Sequence, residues 1–156
     1  MLTLDIPGHG TSIIRHLVLD FNGTIAGDGQ LLDGIAPRLR ELAPLLKIHV
    51  LTADTHGSAA ATVHGLPCHL AIIAPLDQCA AKLHYIDALG CANCVAMGNG
   101  FNDQLMLQHA AVGIAVIGGE GAASAAITSA DVVVNSCVDG LDLLLKPLRL
   151  GATLRR

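Results

Sequence analysis

A buried strand that ends on a carboxylate is the first chemical feature of the sequence. An apolar run at 17–19 leads into Asp20, and an Asn-Gly-Thr turn at 22–24 follows. Such a run predicts a strand covered on both faces that delivers Asp20 to the edge of a sheet. A carboxylate there can attack an electrophilic phosphorus. Asp20 is therefore the best candidate nucleophile, although an Asp after a strand can also simply cap a loop.

Three later stretches supply groups that complement a carboxylate nucleophile. Thr52 follows an apolar run, Lys82 lies in a helical pattern, and Asn99 and Asp103 belong to the Gly-rich stretch GNGFND. Phosphoryl transfer to a carboxylate needs a cradle for the phosphoryl oxygens, a fixed cation and a metal site. Thr52 can supply a hydroxyl, Lys82 the cation, and Asp20 with Asp103 a pair of carboxylates for Mg²⁺.

The elements that must position these groups alternate between strands and helices. Periodicity and turn residues predict strands at 2–6, 17–21, 48–51, 69–73, 95–97, 112–117 and 132–134, and helices at 35–46, 58–63, 75–89, 104–110, 122–129 and 141–145. This alternation predicts an α/β fold, a three-layer, doubly wound and mostly parallel Rossmann-like sheet. Ligands of such sheets bind beyond the carboxyl ends of the strands, so the candidate residues should share one rim.

Composition favours a single domain over residues 1–156. The chain is 52% apolar but has no Trp, one Tyr and two Phe, so aliphatic side chains must fill the core. The scarcity of aromatic residues argues against binding of single-stranded nucleic acid, which depends on stacking. The net charge is −4. The basic residues near the C-terminus are expected to form a solvated tail and not a nucleic-acid patch; they are Lys146, Arg149, Arg155 and Arg156.

Neither a membrane nor a bound transition metal is expected from the sequence. No signal-peptide pattern and no apolar run of about 18 residues occurs, which predicts a cytoplasmic protein. Five cysteines suggest reduced thiols, and Cys91 with Cys94 forms a CxxC that lacks a second ligand pair. A structural or incidental role is favoured for that pair over zinc or redox chemistry. The eight histidines show no ligand spacing.

Taken in order, the four stretches resemble the motifs of the haloacid dehalogenase superfamily. Asp20 to Thr24, DFNGT, is similar to the DxDGT motif, and Thr52 to the Ser or Thr that follows the second strand. Lys82 matches the lysine of the third motif, and GNGFND is similar to GDxxxD or GDGxND. That last stretch, the HAAVGIAV after it and the ADVV at 130–133 resemble in particular the soluble P-type ATPase-like branch.

The resemblance implies a role for each matching residue. Asp20 would become an aspartyl phosphate, while Thr52 hydrogen-bonds the phosphoryl group and Lys82 neutralises its charge. Mg²⁺ would be the cofactor, with Asp20, the Asn22 carbonyl, Asn99 and Asp103 in its site; of the last two, one is a ligand and one supports it. Substrate contacts are implied at Gly23, Thr24, Ala53 and Asn102. The implied partner is a phosphorylated small molecule or a phosphoprotein.

Two positions depart from the phosphatase motifs, and both replace Asp by Asn. Asn22 stands where a general acid and base is usual, and a carboxamide cannot shuttle that proton. Such catalysis is worth about 10²–10⁴ in rate, roughly 3–5 kcal/mol of barrier. A slow enzyme is therefore expected, and an impaired protein that only binds a phosphate-bearing ligand is the alternative. Because Asn22 and Asn99 both precede Gly, deamidation to Asp is a further hypothesis.

No cap domain is expected, because 31 residues separate Asp20 from Thr52 and 29 separate Thr52 from Lys82. Each interval suffices only for a crossover and its strands, and the resemblance then implies a homo-oligomer. A receiver-type domain fits the order of the motifs poorly, and GEGAAS at 119–124 lacks the third glycine of a dinucleotide-binding loop. Asp54 and His56 lie on the rim, where they either contact substrate or cap the next helix.

Overall fold

The computed structural model describes residues 1–54 and 57–156. The strands are β1 (Leu2–Ile6), β2 (Gly10–Ile14), β3 (His16–Asp20), β4 (Ala26–Gly27), β5 (Gln30–Leu31), β6 (Lys47–Thr52), β7 (His69–Ile72), β8 (Cys94–Gly98), β9 (Val112–Val116) and β10 (Val132–Val134). The helices are α1 (Ile35–Leu42), α2 (Ala59–Thr62), α3 (Gln78–Leu89), α4 (Gln104–His109), α5 (Ser124–Ser129), α6 (Cys137–Leu145) and α7 (Pro147–Leu154), with 3₁₀ turns at Cys91–Asn93 and Phe101–Asp103.

Six strands form one parallel sheet in the order β10-β9-β8-β3-β6-β7. The chain leaves β3 towards β6 and β7, and later returns to the other side of β3 with β8. The carboxyl ends of β3 and β8 therefore flank the point where the strand order reverses, which is where such sheets bind ligands. The predicted doubly wound α/β fold is confirmed.

The sheet lies between two apolar layers. Leu17 and Leu19 face a core that includes Leu39 of α1 and Leu141 of α6. Val18 faces the opposite core with helices α3, α4 and α5. All three residues of the central run at 17–19 are fully buried, as expected for a parallel strand that is covered on both faces. The covered sheet holds the backbone of Asp20 rigidly at its edge.

Two elements near the chain ends differ from the predictions. No strand is predicted between 2–6 and 17–21, but β2 lies there and pairs with β1 as an antiparallel hairpin. The four basic residues near the C-terminus are exposed, but residues 147–154 do not form a free tail: they form α7, in which Leu150 and Gly151 are buried. A Cβ at Gly151 would collide with the carbonyl oxygen of Asp5, so the absence of a side chain lets α7 approach β1.

Side-chain caps set two helix boundaries that periodicity misplaced. Helix α3 begins at Gln78 because the Asp77 carboxylate accepts a hydrogen bond from the Ala80 amide at 3.2 Å. Helix α6 begins at Cys137 because the Ser136 hydroxyl accepts one from the Asp139 amide at 3.2 Å. None of the helices within the described ranges has the length and apolar character needed to cross a membrane.

Candidate active site

The carboxyl edge of the sheet contains a buried lysine held between two carboxylates. The Lys82 ammonium donates to Asp20 Oδ1 at 2.6 Å and also to Asp103 Oδ1. The side chains of Lys82 and Asp103 are 1% and 0% exposed, whereas that of Asp20 is 12% exposed. One positive and two negative groups leave the cluster short of one positive charge, and the open side is at Asp20.

The environment shifts the pKa values of this cluster. Burial, together with the neighbouring Asp103 carboxylate, raises the pKa of Asp20 to about 7 against the opposing effect of Lys82. Burial by itself would lower the pKa of Lys82, but the two carboxylates outweigh it and raise that pKa above its ordinary value. Lys82 is therefore a permanent cation, and a second cation close to Asp20 would favour its ionised form.

Asp103 shapes the Gly-rich turn after β8. Its Oδ2 accepts hydrogen bonds from the amides of Asn99 at 3.0 Å and Gly100 at 2.8 Å. Since its Oδ1 is bound by Lys82, both oxygens are engaged inside the protein. Of Asn99 and Asp103, this geometry favours Asn99 as the residue that could donate an oxygen to a metal in the cleft. Asp103 would then support the turn that carries Asn99.

The oxygens that face the cleft fit a hard cation. Asp20 Oδ2 and Asn99 Oδ1 lie 3.4 and 3.5 Å from the Thr24 hydroxyl, so both border the same small space. Asn99 Nδ2 donates to the Gly121 carbonyl at 3.1 Å, which turns Oδ1 the other way. A Cβ at Gly23 would overlap the Asn99 amide, and Gly23 also has φ of 84°, so that position needs glycine.

This donor set suits Mg²⁺, which prefers oxygen ligands and accepts one or two carboxylates together with water and phosphate oxygens. Among the residues that the structure describes, no group of three or more His, Cys, Asp or Glu side chains is arranged to hold a metal ion. A metal here would therefore use the Asp20 carboxylate, the Asn99 amide oxygen and the Asn22 carbonyl. A single carboxylate makes such a site weaker than one with two.

A cleft of about 280 Å³ opens above the cluster. The predicted site residues that line it are Asp20, Asn22, Thr52, Ala53, Lys82, Asn99 and Asn102. Thr52 Oγ1 accepts a hydrogen bond from the Asp54 amide at 3.0 Å, which leaves the hydroxyl hydrogen free to donate into the cleft. The structure thus brings the nucleophile candidate, the hydroxyl and the lysine to one cavity. Asp103 and Thr24 are fully buried beneath it.

The Asn22 side chain has a structural contact of its own. Its Oδ1 accepts a hydrogen bond from the Gly29 amide at 3.0 Å, and so holds the small hairpin of β4 and β5 beside the cleft. An Asp at this position could accept the same bond. The carboxamide is therefore compatible with the fold without being required by it.

Three residues of the cleft were missed from the sequence: Gln78, Ser58 and Glu120. Gln78 lies one turn before Lys82 in α3 and accepts a hydrogen bond from Asn102 Nδ2 at 2.6 Å, and its i, i+4 spacing is a usable signal. Glu120 follows β9, so applying the carboxyl-end rule to that strand would have found it.

The structure bears on the alternative roles considered for Asp54, for the loop at 119–124 and for Asp20. Asp54 lines the cleft and also accepts a hydrogen bond from the Ala59 amide at 3.1 Å, so it borders the site and caps the turn into α2. His56 lies outside the described residues. The loop at 119–124 supports Asn99 through Gly121. Asp20 follows the first strand of the parallel sheet, unlike the phosphorylated acid of receiver domains.

The CxxC pair has the features of structural thiols. Cys91 and Cys94 are both free. The Cys91 thiol donates to Asp87 at 2.9 Å, and that of Cys94 to the Gly90 carbonyl at 3.5 Å. Burial raises the pKa of Cys91 to about 11 and that of Cys94 to about 12. Neither thiol is activated as a nucleophile.

The parallel sheet carries a carboxylate, a lysine and a Gly-rich turn at its carboxyl edge. The chain shares the fold of solved haloacid dehalogenase superfamily proteins. Comparison with curated proteins finds two relatives in Methanocaldococcus jannaschii. Uncharacterized protein MJ0073 is 49% identical over 79 residues, which are 48% of this chain and 85% of that protein. Uncharacterized protein MJ0072 is 46% identical over 39 residues, 25% of this chain and 89% of that protein. No family model matches.

Solved structures share the fold. The 3-deoxy-D-manno-octulosonate 8-phosphate phosphatase of Moraxella catarrhalis, solved with magnesium and phosphate ions, has a TM-score of 0.67 at 17% identity over 86% of this chain and 87% of that one. The cobalt-bound enzyme of Haemophilus influenzae has a TM-score of 0.68 at 12% identity, covering 92% and 94%. A zinc-transporting PIB-type ATPase in its E2.Pi state has a TM-score of 0.60 at 27% identity over 80% of this chain, but only 20% of that one.

Proposed function

We propose that the protein is a Mg²⁺-dependent phosphohydrolase or phosphotransferase that forms an aspartyl phosphate on Asp20. The main support is the buried Lys82 ammonium between Asp20 and Asp103, beneath a cleft into which Thr52 can donate. The shared fold with a phosphatase solved with magnesium and phosphate, and with an ATPase solved in a phosphate-bound state, agrees with this assignment.

In the proposed reaction a carboxylate oxygen of Asp20 attacks phosphorus, and the bond from phosphorus to the leaving oxygen breaks. The electron pair departs with that oxygen, which takes its proton from water because Asn22 has none to give. Lys82 and the Thr52 hydroxyl stabilise negative charge on the phosphoryl oxygens. Bound Mg²⁺ would supply further charge neutralisation. Water then attacks phosphorus, which releases phosphate and restores Asp20.

The second half of this reaction is expected to be slow. Without a carboxylate at position 22, no side chain at that position can take the proton of the attacking water. An aspartyl phosphate would therefore persist, and an acceptor other than water would have time to react with it. Phosphotransfer to a second substrate thus belongs to the same proposal.

We also propose that the chain forms a single domain and assembles into a homo-oligomer. Between Asp20 and Thr52 lie the β4–β5 hairpin and α1, which would leave the chain as a single domain without a cap. An open cleft admits either a phosphorylated small molecule or a phosphoprotein. A homo-oligomer would let a neighbouring copy cover the rim.

The test compares leaving groups. Acetyl phosphate and 4-nitrophenyl phosphate need little protonation and should be hydrolysed at least about 100-fold faster than glycerol phosphate, because general-acid help is absent. Asn22→Asp should raise the rate with glycerol phosphate far more than that with acetyl phosphate, while Asp20→Asn should abolish both. Equal rates for the activated and alkyl substrates would contradict a missing general acid.

A catalytically impaired protein that binds a phosphate-bearing ligand is the second candidate. It is favoured by the Asn22 side chain, whose amide oxygen is committed to the Gly29 amide. Beryllium fluoride, which mimics a phosphoryl group on Asp, separates the two. Uptake by the wild type and not by Asp20→Asn supports an enzyme. Absence of uptake, together with absence of Mg²⁺-dependent hydrolysis, supports the binding protein.

A further inference from the structure

The cleft is poor in positive charge. Lys82 is the one Lys or Arg side chain among the described residues that line it, and both of its neighbours are carboxylates. All nine Lys and Arg residues lie in the described part of the chain. Arg15 and Lys47 lie at the opposite, amino-terminal end of the sheet, and Arg38 is paired with Asp142 at 2.7 Å. Among the described residues that line the cleft, no Lys or Arg other than Lys82 is therefore available to bind a second anionic group of the substrate.

Two carboxylates instead border the cleft on its outer sides. Asp54 follows β6 and Glu120 follows β9. In the strand order β9-β8-β3-β6 these loops flank the two central strands that carry Asp20 and Asn99. Three strand spacings separate β6 from β9, about 14 Å. A phosphate held at Asp20 therefore lies between the loops that carry the two acids.

The chemistry of these two acids differs in one useful way. Asp54 is tied to the Ala59 amide at 3.1 Å. Glu120 is exposed and takes part in no ion pair within the residues that the structure describes. Its charge is therefore available to a ligand. Gln78 and Asn102, which hydrogen-bond each other at 2.6 Å, add only neutral polar groups to the lining of the cleft.

We propose that the substrate is a phosphate monoester whose remainder carries a positive charge, and that Asp54 and Glu120 select it over esters with a second anionic group. The inference rests on the proposed function, because it assumes that the phosphate occupies the space above Asp20. A carboxylate or second phosphate on the substrate would meet two like charges and no free cation. An ammonium group would instead be attracted by the carboxylate on whichever side of the cleft it extends to.

Three aryl phosphates with one ring and one ester linkage test the selection. The phosphates of tyramine, tyrosol and 4-hydroxyphenylacetate carry a para substituent that is cationic, neutral and anionic, respectively. With the full chain, Mg²⁺ and low salt, kcat/KM should fall in that order, by about tenfold from cation to anion, because each surface charge contributes a factor of a few. The ratio should shrink in high salt, since screening weakens it. A flat or reversed order overturns the inference.

Variants at Glu120 identify the selecting group. Glu120→Gln should lower the cation-to-anion ratio about threefold, and Glu120→Lys should lower it further or invert it. Glu41→Gln, the same change on α1 outside the cleft, is the matched control and should leave the ratio unchanged. An unchanged ratio in both Glu120 variants would show that this carboxylate does not select substrate.

Binding measurements keep this test separate from that of the proposed function. If none of the three esters is hydrolysed, their affinities in the presence of Mg²⁺ are compared by calorimetry. If the affinities fall from the cationic to the anionic ester and no ester is hydrolysed, the enzymatic proposal is contradicted and the charge selection is supported. Equal affinities, or tighter binding of the anionic ester, would overturn the charge selection even if hydrolysis were observed.

Discussion

Helix α3 contributes to two polar clusters, one acidic and buried and one of histidines and partly buried. The acidic cluster consists of Lys82 with Asp20 and Asp103. The histidine cluster consists of Tyr85, three residues along α3, with His49 of β6 and His16 of β3. Both clusters join the same helix to β3, one at each end of that strand.

The histidine cluster is complete without a ligand. His49 Nδ1 meets the Tyr85 hydroxyl at 2.9 Å, and His49 Nε2 meets His16 Nδ1 at 3.0 Å. A neutral imidazole has one donor and one acceptor, so either tautomer satisfies the chain of bonds. Burial, with the neighbouring His16, His69 and Lys47, lowers the pKa of His49 to about 4. Such a cluster stabilises the fold and requires nothing further.

The acidic cluster is incomplete by one charge. Two carboxylates share one ammonium, and burial together with the second carboxylate raises the pKa of Asp20. The cleft lies above the open side of Asp20, whereas both ring nitrogens of His49 have a partner within the histidine cluster. Burial of polar groups therefore does not itself mark a functional site in this protein. An uncompensated charge that faces a cavity does.

Removal of the Lys82 charge should have the largest effect. Lys82→Met leaves two buried carboxylates unpaired and should lower the free energy of unfolding at pH 7 by about 3–5 kcal/mol. It should also reduce turnover at least about 100-fold. Urea unfolding and phosphatase assays measure the two losses. Lys47→Met, the same change at an exposed site, should alter stability by less than about 0.5 kcal/mol; comparable losses in both variants would refute a special role for the cluster.

The two clusters should give stability opposite dependences on pH. The pKa of Asp20 is raised from 3.8 to about 7, so its contribution to stability falls as pH rises through that window. The pKa of His49 is lowered from 6.5 to about 4, so its contribution is lost as pH falls through the same window. In the wild type without divalent cations these slopes partly cancel.

Single variants separate the two slopes. From pH 4 to pH 7, Asp20→Asn should gain about 1–3 kcal/mol of stability relative to wild type, since a tenfold change in a protonation equilibrium corresponds to about 1.4 kcal/mol. His49→Gln should change in the opposite direction by about 1–2 kcal/mol. Urea midpoints at several pH values in EDTA measure both. Mg²⁺ at pH 7 should stabilise the wild type and not Asp20→Asn; parallel profiles for all three proteins would contradict the assignment.

Deletion of one hydroxyl from each region sharpens the contrast. Tyr85→Phe leaves His49 Nδ1 without its partner and should cost about 1–2 kcal/mol of stability, with turnover unchanged. Thr52→Val should lower turnover by about tenfold or more, because it removes a donor to the phosphoryl group. Denaturant unfolding and steady-state kinetics on both variants provide the check. A loss of turnover in Tyr85→Phe would mean that the clusters are coupled through α3.

The smallest expected effect concerns deamidation. The nitrogen that would attack the Asn22 side chain is the Gly23 amide, which donates to the Ala26 carbonyl at 2.7 Å. The corresponding Gly100 amide donates to Asp103 at 2.8 Å. The side-chain amides of Asn22 and Asn99 should therefore survive incubation of the folded protein and deamidate only after unfolding. Peptide mass spectrometry checks this, and Asp at either position in the folded protein would revive the hypothesis of a restored carboxylate.

Much of the fold and part of the site could be predicted because their signals are local. The apolar run before Asp20 and the turn after it depend on neighbouring residues only, and so does the alternation of strands and helices. The role of Asp103 could not be read in this way. Its Oδ1 accepts a hydrogen bond from Lys82, which is 21 residues away, while its Oδ2 accepts from amides of its own turn. Lys82 reaches Asp103 only because α3 packs against this turn.

Local sequence patterns suffice to predict the parallel α/β sheet and the edge on which Asp20, Thr52 and Asn99 lie, because periodicities of 2 or 3.6 and turn chemistry act over a few residues. Tertiary structure alone decided that Lys82 pairs with Asp20 across 62 residues. It also decided that Asn22 holds the Gly29 amide, that α7 packs on β1, and that Glu120 borders the cleft. Those outcomes depend on strand order and on close approach between distant segments, which no local pattern encodes.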